Sequence, residues 1–248
     1  MFSVQNSSGG CLCPYCGFHL GQPTLQFAEQ NMCGWIAQPA NTISNIAYLF
    51  VTLILLIQLR KNTLPWYLYG FPIAYSFIGI SSGFYHASST FVGQFLDFTA
   101  IYVFVGYILF LAINKRNWIQ TRTLAYMVAC SVFLLSTIMW FVPFLRIWLF
   151  AIFQIIPFLW LEFTYNRNKN KQKRDVSKLK YAVLIFLVAW AFWWLDILLI
   201  WDYKSLQHII NGHAAWHVLT AVSLYFVAQF YLATSEAVPV LIELTVDE

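Results

Sequence analysis

The sequence predicts an all-α membrane protein: a seven-transmembrane-helix bundle with its amino terminus outside and its carboxyl terminus cytoplasmic. Two observations carry the bundle. Of the 248 residues, 60% are hydrophobic and only 10% are charged, against about 25% charged in a soluble domain. The apolar residues also fall into seven blocks, each near the ~20 residues that cross a hydrocarbon core. A third observation, the placement of Lys and Arg, sets the orientation. Aromatic residues reach 19%, with 11 Trp, as interfacial belts require.

Residues 1–42 contain no Lys or Arg and hold Cys11, Cys13, Cys16 and Cys33. They read as a polar extracytoplasmic cap with turns at Gly21 and Pro23. The pair Cys13 and Cys16, with Cys33, fits a zinc knuckle, a redox pair or a structural disulfide on an oxidising face, which is the favoured reading. Residues 1–20 have neither a basic start nor an apolar core, so no cleaved signal is expected and the first span stays as an anchor.

The expected spans are 43–59, 65–85, 96–113, 123–142, 144–163, 180–201 and 213–233, with Pro143 dividing the fourth from the fifth. The transmembrane bundle thus covers 43–235, and 236–248 is a short cytoplasmic tail. Of the 14 basic residues, all but Arg146 and Lys204 fall in the loops after spans one, three and five. Positive-inside bias places those loops in the cytoplasm. The basic loop Asn166–Lys180 is read as a topology determinant rather than a site for anionic lipid. The net charge of +4 sits in short loops, so no nucleic-acid partner is expected. The bilayer is the expected partner. Compact loops favour a bacterial inner membrane, and a eukaryotic endomembrane reads alike.

This topology brings separate polar residues to one depth near the outer leaflet. His86 and Asp97 flank the short turn between spans two and three, and His213 and His217 open span seven. Residues four apart share a helix face, so His213 and His217 can chelate one ion, with His86 as a third ligand. Three imidazoles and a water make a catalytic zinc site. Ser82, one turn before His86, can hydrogen-bond to an oxyanion, and Asp97 can take a proton or hold an imidazole. Singly, each residue has a plain explanation: interfacial histidines are ordinary, and membrane serines usually bond back to their own helix. Together they form a cluster at a depth where polar groups are costly. Asp196 is the other embedded acid, with a structural hydrogen bond as its favoured role. His19 and His208 lack partners at helical spacing and read as surface residues.

The pattern Ser82-x3-His86-x10-Asp97, followed by His213-x3-His217, resembles the superfamily of seven-helix membrane hydrolases. That superfamily contains alkaline ceramidases, adiponectin-receptor-like proteins, haemolysin-III-like proteins and GPI-remodelling lipases. The stretch Ala28 to Asn45, with its run Asn41, Thr42, Ser44 and Asn45, is most similar to the alkaline ceramidases. The resemblance implies zinc at His86, His213 and His217, Ser82 and Asp97 in the active site, and hydrolysis of the ceramide amide to sphingosine and fatty acid. It also implies calcium bound by acidic residues ahead of span one. Glu29 and Asn31 remain as candidate calcium ligands, but Gln38 replaces an expected glutamate and Gln26 an expected aspartate. Fewer anionic oxygens predict weak calcium binding or none.

The expected activity is a zinc-dependent lipid amidase. An esterase or phospholipase using the same metal is the alternative within enzymes. Outside enzymes stand a heptahelical receptor or transporter and a haem protein. Transporters place their binding groups near the midplane, whereas these residues cluster at one rim.

Overall fold

The computed structural model describes residues 15, 20–32, 34–61, 65–167, 176–199 and 206–235. Cys11, Cys13, Cys16, Cys33, His19, Asp202 and the tail 236–248 lie outside the described residues. Among those described, every regular element is helical. They are α1 (Pro39–Ser44), α2 (Ile46–Lys61), α3 (Gly70–Ser88), α4 (Phe91–Asn114), α5 (Thr121–Phe141), α6 (Arg146–Phe150), α7 (Ile156–Arg167), α8 (Ser177–Ile197) and α9 (Gly212–Ser235). A tight turn at Pro143–Leu145 and a wide π-helical turn at Ala151–Ile155 join α6 and α7 into one crossing.

Six stretches are long and apolar enough to cross a membrane: Pro39–Lys61, Phe91–Asn114, Thr121–Phe141, Pro143–Tyr165, Ser177–Ile197 and Gly212–Thr234. The chain is therefore an integral, multi-pass membrane protein. The seventh expected crossing is α3, 19 residues long and packed against both α2 and α4. Its Ser76, Ser81, Ser82 and His86 lower its hydropathy, and Ser81, Ser82 and His86 are buried. Large apolar side chains such as Phe133, Phe141 and Trp148 face outward instead. An apolar exterior around a more polar interior is what a lipid solvent requires.

Helix ends differ from the sequence expectation where it matters most. Spans two and three were expected to stop at 85 and restart at 96, with His86 and Asp97 flanking a turn. Instead α3 continues to Ser88 and α4 begins at Phe91, so both residues lie inside helices. The link is only Ser89 and Thr90. Ser89 takes a left-handed conformation (φ 49°) and its N–H bonds to the Tyr85 carbonyl at 2.7 Å, ending α3. Thr90 is extended and accepts the Gly93 N–H at 3.1 Å, starting α4. The polar residues of this stretch read as the turn itself, yet the turn is shorter and its hydroxyls serve as caps. Gly93 permits the tight hairpin, since a Cβ there would lie 2.8 Å from Tyr85 Cα. Span one likewise starts early, at Pro39 rather than 43.

The segment 20–38 lies across one end of the bundle and satisfies exposed helix termini. The turn expected at Gly21 is present, with φ +71°. Leu20 and Gly21 carbonyls accept the Val92 and Phe91 N–H groups at the start of α4, each at 3.1 Å. Ala37 and Gln38 N–H groups donate to the last carbonyls of α3, at Ala87 and His86. Basic side chains gather at the opposite end. There Lys115 pairs with buried Glu162, which also accepts from Tyr231 Oη at 2.7 Å.

Candidate metal centre and lipid cavity

Three histidines from two helices meet beneath the cap segment. One candidate ligand atom from each of His86, His213 and His217 lies within 4.8 Å of the others. All three rings are buried, at 0%, 4% and 2% exposure. His86 closes α3, while His213 and His217 occupy the first two turns of α9, one above the other.

Hydrogen bonds fix which nitrogens are free. His86 Nδ1 lies 2.7 Å from Gln38 Oε1, and an amide oxygen only accepts, so Nδ1 carries the proton and Nε2 is bare. His217 Nδ1 lies 2.8 Å from Ser44 Oγ. Ser44 Oγ also lies 2.9 Å from the Asn41 carbonyl. With the Ser44 proton on that carbonyl, His217 Nδ1–H donates to Ser44 and His217 Nε2 is the nitrogen offered to the site. His213 stacks on Phe27 with ring centroids 3.7 Å apart, and among the described residues its buried Nδ1 has no hydrogen-bond partner. Its Nε2 faces the Nε2 of His86 at 3.1 Å.

That donor set fits a metal ion. Ligand nitrogens about 2.0–2.1 Å from a tetrahedral zinc stand about 3.3 Å apart, close to the His86–His213 separation. Two outer partners orient imidazoles as ligating histidines require. An ion also resolves the meeting of ring nitrogens, which otherwise needs a proton between them.

Asp196 sets the position of α9. Its fully buried carboxylate accepts the His213 N–H at 3.0 Å with Oδ1 and the Ala28 N–H at 2.9 Å with Oδ2. It thus ties the cap segment and the histidine-bearing turn to α8, which is the structural role favoured for it. Gly212 allows this approach, because a Cβ there would sit 2.7 Å from the Phe192 carbonyl oxygen.

Ser82 and Asp97 stand beside the histidines. Ser82 Oγ is 3.4 Å from His217 Nε2. Ser82 and Asp97 both line a cavity of about 330 Å³ together with His213 and His217. From that polar end the cavity runs along α4 past Phe104 to Ile108 and along α9 to Val227. Eleven residues of α4 between Asp97 and Ile108 make about 16 Å at 1.5 Å rise per residue. Apart from Ser223, Thr220 and tyrosine hydroxyls, the wall is aliphatic and aromatic.

Glu29 and Asn31, the candidate calcium ligands, are engaged by the protein's own donors in this structure. Both Glu29 oxygens already accept N–H groups, from Ala40 at 2.9 Å and Asn41 at 2.8 Å, at the start of α1. Asn31 Oδ1 accepts from Gln38 Nε2 at 3.0 Å. A carboxylate and an amide turned toward donors do not offer the several oxygens that calcium takes. His208, read from sequence as a surface residue, is partly exposed (34%), and its Nδ1 meets Glu29 Oε1 at 3.1 Å. It lies in a turn before α9, so helical spacing gave no sign of a partner in the cap.

Sequence reasoning gave no role at the histidines to Gln38 and Ser44. Gln38 drew notice as a departure and Ser44 as a branch marker. The usable signal is a run of uncharged polar residues in the first turn of a membrane span, which needs buried partners.

A family model described as Ceramidase matches residues 22–238. No curated protein matches the chain.

Proposed function

We propose, on the premise that this chain belongs to the ceramidase family, that it is a zinc-dependent lipid amidase. Its substrate is a ceramide-like lipid, and its products are a sphingoid base and a fatty acid. The observation that carries this reading is the meeting of three buried histidines, each with one candidate ligand nitrogen, with Ser82 and Asp97 at the head of an apolar cavity.

His86, His213 and His217 would hold the zinc. Zinc supplies Lewis acidity, which polarises a carbonyl and makes a water readily deprotonated. The chain's own groups do the rest. The cavity wall between α4 and α9 takes the acyl chain and draws the amide to the polar end, where water attacks its carbon. Asp97 receives the proton that the attacking water loses. It returns a proton to the amide nitrogen as the C–N bond breaks, so the base leaves as an amine. Ser82 donates its hydroxyl hydrogen to the oxygen that gains charge. A new C–O bond replaces the C–N bond, and one water is consumed.

The orientation is part of the same proposal. Arg60, Lys61, Lys115, Arg116, Arg122, Lys178 and Lys180 mark the end away from the histidines, which favours that end as cytoplasmic. The amino-terminal segment 1–42 then caps an active site at the outer leaflet, and 236–248 is a cytoplasmic tail. The bacterial inner membrane is the favoured location, and lipid enters between helices.

The test is incubation of wild type and His217→Ala with ceramides, acyl esters and phospholipids. Release of fatty acid from ceramides by wild type alone supports the amidase. Release from esters and not from ceramides replaces it with an esterase on the same metal.

A further inference from the structure

Gln38 sits between the cap segment and the metal centre, and all four of its side-chain hydrogen-bonding positions are used. Oε1 accepts from His86 Nδ1 at 2.7 Å and from Asn41 Nδ2 at 3.2 Å. Nε2 donates to the Glu29 carbonyl at 3.2 Å and to Asn31 Oδ1 at 3.0 Å. The Gln38 backbone N–H also bonds to the His86 carbonyl at 3.1 Å. The same residue therefore holds His86 at both its backbone and its ring. The side chain is buried, at 7% exposure, so water does not readily replace these partners.

We infer that Gln38 is the positioning residue of the metal centre, and that its amide nitrogen stands where a cation would otherwise join the cap to the bundle. The inference rests on the zinc reading above for its first half only. Two oxygens, from Glu29 and Asn31, converge on Nε2. An amide NH2 meets both with hydrogens and carries no net charge. A carboxylate at the same position would turn a third oxygen toward them, and three converging oxygens call for a hard cation such as calcium. The opposite end of the amide faces His86 and dictates its tautomer. The cap's shape and the ligand's orientation are thus set by one neutral group, without an ion.

Three substitutions in the full-length chain separate these roles. Gln38→Ala and Gln38→Met both remove the acceptor for His86, and Met keeps the side-chain length if Ala disturbs the fold. Gln38→Glu keeps an acceptor for His86 Nδ1 but adds the third oxygen. In the Ala or Met variant, zinc should be stripped at 10–100-fold lower chelator concentration, the usual loss for an outer partner of a ligating histidine. The turnover number should fall while KM holds. Gln38→Glu should retain zinc like wild type, melt at lower temperature, and recover on adding calcium chloride, to which wild type does not respond. Wild-type zinc retention in the Ala and Met variants overturns the positioning role. Equal stabilisation of wild type and Gln38→Glu by calcium overturns the substitution of amide for cation. A wild-type protein with no zinc sinks the amidase reading and the positioning role, while the calcium comparison still decides the second half.

Discussion

Ser44 Oγ and His217 Nδ1 stand 2.8 Å apart, joining residues separated by 173 positions in sequence. Ser44 Oγ also reaches the Asn41 carbonyl at 2.9 Å, and with its proton there its oxygen accepts from the imidazole. Ser44→Ala removes that acceptor and lets the imidazole change tautomer. Zinc affinity should drop about 10–100-fold, read by competition with a chromophoric chelator.

Purified protein should contain about one zinc per chain, and His213→Ala or His217→Ala should lose it, as measured by elemental analysis. A ligand that binds only the folded state adds stability by mass action. Chelation should accordingly lower the melting temperature of wild type and leave both variants unchanged. Full metal content in both variants would remove the site.

Asp97→Asn keeps the shape of the side chain and takes away its capacity to accept a proton. The turnover number should fall about 10²–10⁴-fold, the usual contribution of a general acid–base group. KM should stay near wild type, since the group acts in the transition state rather than in binding. Zinc content should be unchanged, which separates Asp97 from the ligands.

Asp196→Ala would orphan the buried N–H groups of Ala28 and His213 together. At about 1–3 kcal/mol for each unsatisfied group, the loss should total about 2–6 kcal/mol. Thermal denaturation in detergent would show it. Because His213 is one of the two groups released, zinc retention should fall in parallel.

Ala182 lies at the far end of the cavity, close to Leu179 and Val227 on its wall. Ala182→Phe would fill that end and shorten the space for a chain. Catalytic efficiency on long-chain ceramides should fall by about tenfold or more, in line with the 1–3 kcal/mol that one methylene carries in an apolar pocket. Short-chain ceramides should be spared. A chain-length series on one preparation makes the comparison.

Much of the site was legible before any coordinates. His213 and His217 declare themselves by a spacing of four on one helix, and His86 and Ser82 by the same spacing on another. Alternation of crossings then brings the two pairs to one end. Asp196 was also legible, because a buried carboxylate needs donors. Less legible was the cap. Glu29 and Asn31 read as remnants of a cation site, whereas Glu29 caps α1 and meets His208, and Asn31 accepts from Gln38. No local pattern encodes a hydrogen bond between a loop and a helix end far along the chain.

The sequence by itself determined that this is a multi-pass helical membrane protein, and which residues could ligate a metal. Those properties follow from side-chain hydropathy and from helical period, both local and additive along the chain. Only the tertiary structure decided which imidazole nitrogens are bare, where Gln38 and Ser44 act, and how a cavity of about 330 Å³ reaches the histidines. Those depend on contacts across the bundle, where burial removes water as a competitor and each polar atom must find its partner in the protein.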